Sequence, residues 1–308
     1  MRGFQLNKVL RAGFLLASIT VLSLVASAWG KDGPVTTDRT ATNLTAFGPG
    51  LAWTREDADG RNRLASYTRI STLGSQPPPA DLAVRASDSP FDPDLGVDRK
   101  GKPAIVYTRC GGVSGRNCDV YGFDGKVESK VRGASSSNCS EFAPSIWKGI
   151  IAFARSGSKR CNGLYLKGRG PMLRLDKRVP ADTDIRGNRI AYLYTPGARR
   201  TVIRTITLSR QGGGSQIVVA GVRAQGERTR VTNPTFSGGY LYFLLEDLRR
   251  NDFIVGRSRG ERQSVLQFSD RKLPGDVDSI GVDGGTVYYT NGRGVLQANP
   301  ALKFSARD

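Results

Sequence analysis

The stretch PSIWKGIIAFARSGSKRCNGLYL, residues 144–166, decides the fold class of this chain. It contains an apolar run around Ile146, a tight turn at Lys148-Gly149, a second apolar run that ends at Phe153, a polar loop and a third apolar run. A glycine turn between two short apolar runs is typical of a β-hairpin. The stretch therefore predicts three antiparallel strands in succession.

The same pattern occurs six times, and each copy is centred on an aromatic anchor residue. The anchors are Trp53, Tyr107, Phe153, Tyr192, Phe243 and Tyr289. Their spacing averages about 47 residues, which is the length of one four-stranded β-propeller blade with its connection. The sequence therefore predicts an all-β, six-bladed β-propeller with one four-stranded antiparallel meander per blade. The long first interval leaves a seventh blade as an alternative.

The amino terminus is typical of a signal peptide. Residues 1–28 contain three basic residues, no acid, an apolar stretch at 12–25 and small residues up to Ala28, where we expect cleavage. A retained membrane anchor is the alternative, although the apolar stretch is shorter than the roughly 20 residues that a spanning helix needs. Residues 29–42 then form an amino-terminal extension able to supply a ring-closing strand, and 43–308 form a single propeller domain. We expect it to be secreted or held in the extracytoplasmic cell envelope.

Four cysteines predict two disulfide bonds, because thiols in an exported chain tend to oxidise. Cys110 and Cys118 flank the loop between two neighbouring strands and are expected to pair, which leaves Cys139 to pair with Cys161. Four cysteines allow three pairings, and the sequence alone leaves the other two open. A zinc site is the competing interpretation, but the chain has no histidine and no C-x-x-C motif.

The net charge of +19 favours anionic partners such as cell-wall polymers, acidic polysaccharide, anionic lipid surfaces or nucleic acid. The basic residues are nevertheless dispersed along the chain, as an ordinary solvated surface would also show. Loops in which aromatic and basic residues alternate are not evident, so nucleic acid is not the expected partner. We expect a monomer that binds a protein or an anionic envelope polymer.

No catalytic motif is present. The absence of histidine excludes Ser-His-Asp and Cys-His nucleophiles, and there is no nucleotide-binding glycine motif. Asp94, Asp184 and Asp278 each lie at the entry of an innermost-strand candidate in alternate units, where three carboxylates lining one channel mouth would suit Ca²⁺. The alternative is that these aspartates only cap turns. No cofactor other than this calcium is expected.

The units resemble the repeats of TolB-like, WD-type propeller proteins of bacterial envelopes. The resemblance is carried by Pro144-Ser145-Ile146 with Ile151-Ala152-Phe153, and by Gly101-Lys102-Pro103 with Ile105-Val106-Tyr107. It implies a six-bladed fold and a non-enzymatic binding module. The alternative function is an extracytoplasmic hydrolase or lyase that acts on acidic carbohydrate through aspartates at the channel mouth.

Overall fold

The computed structural model describes residues 32–69, 78–111, 116–175, 179–197, 200–208, 216–224, 227–259, 265–298 and 301–306. The signal-peptide prediction falls on residues outside these ranges. No helix in the described part of the chain is long and apolar enough to cross a membrane.

The described residues form twenty-five strands in chain order. These are β1 (Gly33–Thr36), β2 (Thr42–Phe47), β3 (Gly50–Glu56), β4 (Asn62–Thr68), β5 (Ala80–Asp81), β6 (Pro93–Val97), β7 (Pro103–Gly111), β8 (Arg116–Phe123), β9 (Glu128–Lys130), β10 (Ser140–Trp147), β11 (Ile150–Ser156), β12 (Gly163–Leu166), β13 (Pro171–Arg174), β14 (Asp182–Arg186), β15 (Arg189–Gly197), β16 (Arg200–Thr207), β17 (Gln216–Ala224), β18 (Glu227–Ser237), β19 (Tyr240–Asp247), β20 (Asp252–Ser258), β21 (Gln267–Ser269), β22 (Val277–Asp283), β23 (Thr286–Asn291), β24 (Gly294–Gln297) and β25 (Phe304–Ala306).

The strands assemble into six antiparallel meanders, which confirms the six-bladed propeller. Blades 1 to 5 are β2–β5, β6–β9, β10–β13, β14–β17 and β18–β21, and blade 6 consists of β22, β23, β24 and the amino-terminal strand β1. A short ladder between β17 and β18 joins the sheets of blades 4 and 5, and β25 adds a fifth strand to the outer edge of blade 5. The sequence analysis did not predict β25.

Each predicted aromatic anchor lies on the second strand of its blade and is at most 1% exposed. The apolar core is correspondingly divided into six clusters, and each cluster lies between two neighbouring blades. Trp53 packs against Tyr288 of blade 6, for example, and Phe153 packs against Val106 of blade 2. The burial of one apolar face of each sheet against the next is what stacks the blades around an axis.

Two structural features fix the ring. Strand β1 pairs with β24 from Gly33 opposite Gln297, so a strand from the amino-terminal extension closes blade 6. Asp32, just before β1, forms an ion pair with Arg271 and accepts a hydrogen bond from the Tyr289 hydroxyl (2.5 Å).

Two disulfide bonds are present, and they join the cysteines that the strand positions predicted to pair. Cys110–Cys118 bridges the neighbouring strands β7 and β8, and Cys139–Cys161 links the approach to β10 with the loop before β12. In the described part of the chain no cysteine is free. Such bonds persist in oxidising surroundings, which agrees with a location outside the cytoplasm.

Candidate functional site

The first strand of each blade lines the central channel, and the ring has two distinct faces. On the entry face the six innermost strands begin; on the hairpin face tight turns join the first and second strands of each blade. The turns of the hairpin face include 48–49, 98–102, 148–149, 187–188, 238–239 and 284–285.

A cavity of about 690 Å³ occupies the channel next to the entry face. This volume is within the range of small-molecule sites. Among the described lining residues seven are acidic and one, Arg230, is basic, although the whole protein is strongly basic. The acidic residues are Asp92, Asp94, Asp182, Asp184, Glu246, Asp276 and Asp278. Arg230 is itself ion-paired with Glu246.

A set of three aspartates connects even-numbered blades to the odd-numbered blades that follow them. Asp278 of blade 6 accepts a hydrogen bond from the Asn43 amide of blade 1 (3.1 Å). In the same way Asp92 accepts from the Ala143 amide, and Asp182 accepts from the Asn233 amide.

The three donors share one backbone geometry. Asn43, Ala143 and Asn233 have φ angles of 52°, 46° and 49°, and each lies where the first two strands of its blade shift register. A bulge of this kind leaves a residue without a partner in the ladder. The freed amide therefore points at the neighbouring blade, where an aspartate accepts its hydrogen bond.

A second pair of aspartates lies deeper along the channel in blades 2 and 4. Asp94 accepts from the Ile146 amide (2.7 Å), and Asp184 accepts from the Phe236 amide. Both of these aspartates pair, across the first two strands of their blade, with the residue that precedes the aromatic anchor. In blade 6 the residue in this pairing position is Gly281. Blades 2 and 4 therefore carry both aspartates of the Asp-x-Asp pattern. Blade 6 carries only the first of them, Asp278, so the pattern recurs in every second blade but is incomplete in blade 6.

Asp92, Asp94, Asp182 and Asp184 influence one another electrostatically. Burial raises the pKa of Asp92 and of Asp184 to about 6. Burial, together with the negative charge of Asp184 and Asp92, raises the pKa of Asp94 well above its usual range. The pKa of Asp182 is raised by burial and by the charges of Asp92 and Asp184. Such a cluster holds protons close to neutral pH and releases them when a cation replaces them.

All three aspartates proposed from the sequence, Asp94, Asp184 and Asp278, line the cavity. By its hydrogen-bond partner, Asp278 corresponds to Asp92 and Asp182, whereas Asp94 and Asp184 form the deeper pair. Each of the three proposed aspartates accepts a hydrogen bond from an amide of a neighbouring blade, and Asp184 also accepts one from the amide of Ile185 in its own strand. Asp92 and Asp182 were missed, although the repeated Asp-x-Asp at 92–94 and 182–184 was a usable signal.

Within the ranges that the structure describes, no three His, Cys, Asp or Glu side chains form a group able to hold a metal ion. Calcium binding stays a prediction.

At the hairpin face, side chains from three blades meet across the channel. The rings of Phe47 (blade 1) and Trp147 (blade 3) are 5.9 Å apart between centroids and are packed edge to face. The guanidinium of Arg186 (blade 4) lies 4.0 Å from the Trp147 ring centroid, as in a cation–π contact. This cluster lies at the hairpin end of the channel, and the residues that line the acidic cavity lie toward the entry face.

No protein-family model matches the sequence, and no curated protein matches it either. Solved structures do match in fold. One is a puromycin-hydrolysing peptidase of Mycobacterium tuberculosis, with a TM-score of 0.51 and 11% identity over 91% of this chain and 55% of that chain. The chain thus spans little more than half the length of that peptidase.

A second match covers nearly the whole of its counterpart. The six-bladed propeller lectin of Aleuria aurantia, described with a fucose recognition mode, has a TM-score of 0.51 and 10% identity over 88% of this chain and 97% of the lectin. TolB from Acinetobacter baumannii is also similar, with a TM-score of 0.39 and 13% identity over 71% of this chain and 54% of that chain. At identities of 10 to 11%, the peptidase and lectin matches show the fold alone, and the lectin is described as a six-bladed β-propeller.

Proposed function

We propose that this protein is a non-enzymatic binding module outside the cytoplasm, and that its channel takes up a ligand with ammonium or guanidinium groups. The observation that carries the proposal is the acidic cavity, in which seven carboxyl groups face one ion-paired arginine. A positive group that enters the cavity relieves the repulsion among Asp92, Asp94, Asp182 and Asp184.

The charge distribution revises the expectation of an anionic envelope polymer for this end of the channel. A polyanion is attracted by the net charge of the whole molecule, but inside the cavity it would meet carboxylates. A protein partner fits the cavity if it presents a lysine, an arginine or a free amino terminus. An amino sugar or a polyamine carries the same chemistry.

The test is isothermal titration calorimetry with three cationic probes, namely a lysine-rich peptide, spermidine and glucosamine oligomers. We expect at least one of them to bind, and the comparison of the three affinities shows which source of positive charge fits the cavity. Because the raised pKa values leave carboxyl groups protonated near neutral pH, binding should release protons, and the measured heat should depend on the ionisation enthalpy of the buffer. Affinity should rise with pH through about pH 6, where Asp92 and Asp184 ionise.

The variant Asp182→Asn with Asp184→Asn keeps the side-chain size and an acceptor oxygen for each amide, but removes two carboxyl groups that can become charged when a cation binds. We expect affinity for the cationic probe to fall by about tenfold or more. The matched control replaces Asp59 and Asp88, which are exposed outside the cavity, by asparagine and should bind as the wild type does. Equal affinities in both variants, or tighter binding of polygalacturonate than of every cation, would contradict the proposal.

One observation favours a second candidate, an enzyme that uses the same carboxyl groups. Neighbouring acids with pKa values near 6 can accept and donate protons at neutral pH, as general acid and base catalysis requires. The negative cavity then indicates a neutral or amino sugar as substrate and not the acidic carbohydrate expected from the sequence. Turnover of glycoside substrates by the wild type, abolished in Asp182→Asn with Asp184→Asn and retained in the Asp59 and Asp88 control, would establish this alternative.

A further inference from the structure

The hairpin face carries a second surface that the acidic cavity does not use. Its turns in blades 2 and 3 present six exposed basic side chains, and acids on the same turns are engaged by backbone amides. Asp98 accepts from the amides of its own turn, and so does Asp124. The basic residues are Arg99, Lys100, Lys102, Lys126, Lys148 and Lys167.

Exposed apolar side chains lie on the same face. Among the described residues the large hydrophobic side chains that are exposed are Val127 (61%), Ile150 (39%) and Val265 (66%). Val127 follows Lys126 between β8 and β9, Ile150 follows the turn of blade 3, and Val265 lies between β20 and β21. All three connections are on the hairpin face. Two of them, Val127 and Ile150, lie beside the basic turns of blades 2 and 3, and Val265 adds apolar surface to the same face in blade 5.

The combination of basic and apolar side chains on the hairpin face indicates the type of partner. Lysine and arginine attract a negatively charged surface, whereas aliphatic side chains gain nothing from a fully hydrated polyanion and gain free energy when they enter the boundary between lipid headgroups and acyl chains. The half-buried rings of Phe47 and Trp147 in the middle of the same face add aromatic surface of the kind enriched at membrane interfaces.

We infer that the hairpin face docks on an anionic lipid surface through its basic turns and through Val127, Ile150 and Val265. In this orientation the acidic cavity lies at the end of the ring away from the membrane. The inference is independent of the proposed function, because it uses the opposite end of the ring.

The test uses protein purified after export, so that its amino terminus is processed as in the cell, and vesicles of phosphatidylcholine with or without phosphatidylglycerol. In co-sedimentation we expect binding only to vesicles that contain phosphatidylglycerol, and weaker binding as salt is added. The triple variant Lys100→Glu, Lys126→Glu, Lys167→Glu should lower the partition coefficient by more than a hundredfold, since loss of each basic residue near such a surface costs about a factor of five and each new glutamate adds repulsion.

The matched control reverses three exposed basic residues of the entry face, Lys159, Arg249 and Arg250, to glutamate. It should keep binding within a small factor of the wild type. A third variant with Val127, Ile150 and Val265 replaced by serine should lose the part of the binding that survives high salt. Circular dichroism and thermal unfolding verify that each variant is folded.

Three results would overturn the inference. The first is the absence of wild-type binding to phosphatidylglycerol vesicles, and the second is an equal loss in the two charge-reversal variants. The third is unchanged vesicle binding in the serine variant together with equally strong binding to heparin, which would identify the face as a general polyanion site.

Discussion

Replacement of Asp92 by asparagine should stabilise the protein at neutral pH and reduce the pH dependence of its stability. Burial raises the pKa of Asp92 from its ordinary value of 3.8 to about 6, so the folded state holds a proton that the unfolded state releases. The contribution of this group to stability is therefore full below about pH 4 and is lost as pH rises to about 6. A shift of about two pKa units corresponds to about 3 kcal/mol. Water in the open cavity reduces this figure, and we expect about 1 to 3 kcal/mol.

Asparagine keeps an oxygen for the Ala143 amide and cannot ionise. It also removes a negative charge that raises the pKa of Asp94 and of Asp182. The free energy of unfolding should thus be higher in the variant than in the wild type at about pH 7, and nearly equal at about pH 4.

Urea denaturation followed by tryptophan fluorescence, at several pH values, measures this difference directly. Hydrogen bonds lower the pKa values of Asp57 and Asp124, so the contributions of these two groups to stability are lost as pH falls. Because variant and wild type share both groups, their effect cancels in the difference between the two free energies of unfolding. Asp59→Asn on the exposed β3–β4 turn serves as the control. A loss of stability in Asp92→Asn at neutral pH would refute the reasoning, because it would mean that the charged hydrogen bond to Ala143 outweighs the cost of burying the charge.

Three further changes test the fold. Gly256→Ala should destabilise by about 1 to 3 kcal/mol, since a Cβ there would lie 2.2 Å from the buried Phe243 ring, whereas Gly292→Ala, in open space, should be nearly neutral in thermal unfolding. Replacement of Cys139 and Cys161 by serine should lower the free energy of unfolding, measured with denaturant, by about 3 kcal/mol. The same change at Cys110 and Cys118 should cost less, because that disulfide closes a loop of 8 residues rather than 22, and a larger loss at the shorter loop would contradict this. Asp32→Ala should lower the melting temperature by several degrees, as it removes the partner of Arg271 and Tyr289 at the ring closure, and an unchanged melting temperature would show that β1 pairing alone suffices.

Much of the fold could be predicted from the sequence because the blade repeat is encoded locally. Each anchor, from Trp53 to Tyr289, follows its own glycine turn, and burial of a large aromatic on the second strand is required in every blade. Strand β25 was missed because the pairing of Phe304 with Ser269 depends on where the chain returns after blade 6, and no local pattern records that.

The site could be predicted only in part. The positions of Asp94, Asp184 and Asp278 at strand entries were visible, but their hydrogen-bond partners lie on other blades and become donors only because of bulges. Ala143 shows the difficulty, since alanine at a φ of 46° gives no sequence signal for a bulge. The separation of an acidic cavity near the entry face from the basic turns of the hairpin face also requires the ring, because residues that share one end of the channel are distant in sequence.

The pairing of Gly33 with Gln297 makes completion of the ring an event that involves the whole chain. During synthesis β1 emerges first, yet its partner β24 is among the last segments to be made, so every nascent chain passes through a stage in which β1 has an unpaired edge. Such edges invite pairing with other molecules. A chain that ends before Gly294 would remain in that stage, and chaperone capture or loss to aggregates would then limit the yield of correctly closed molecules.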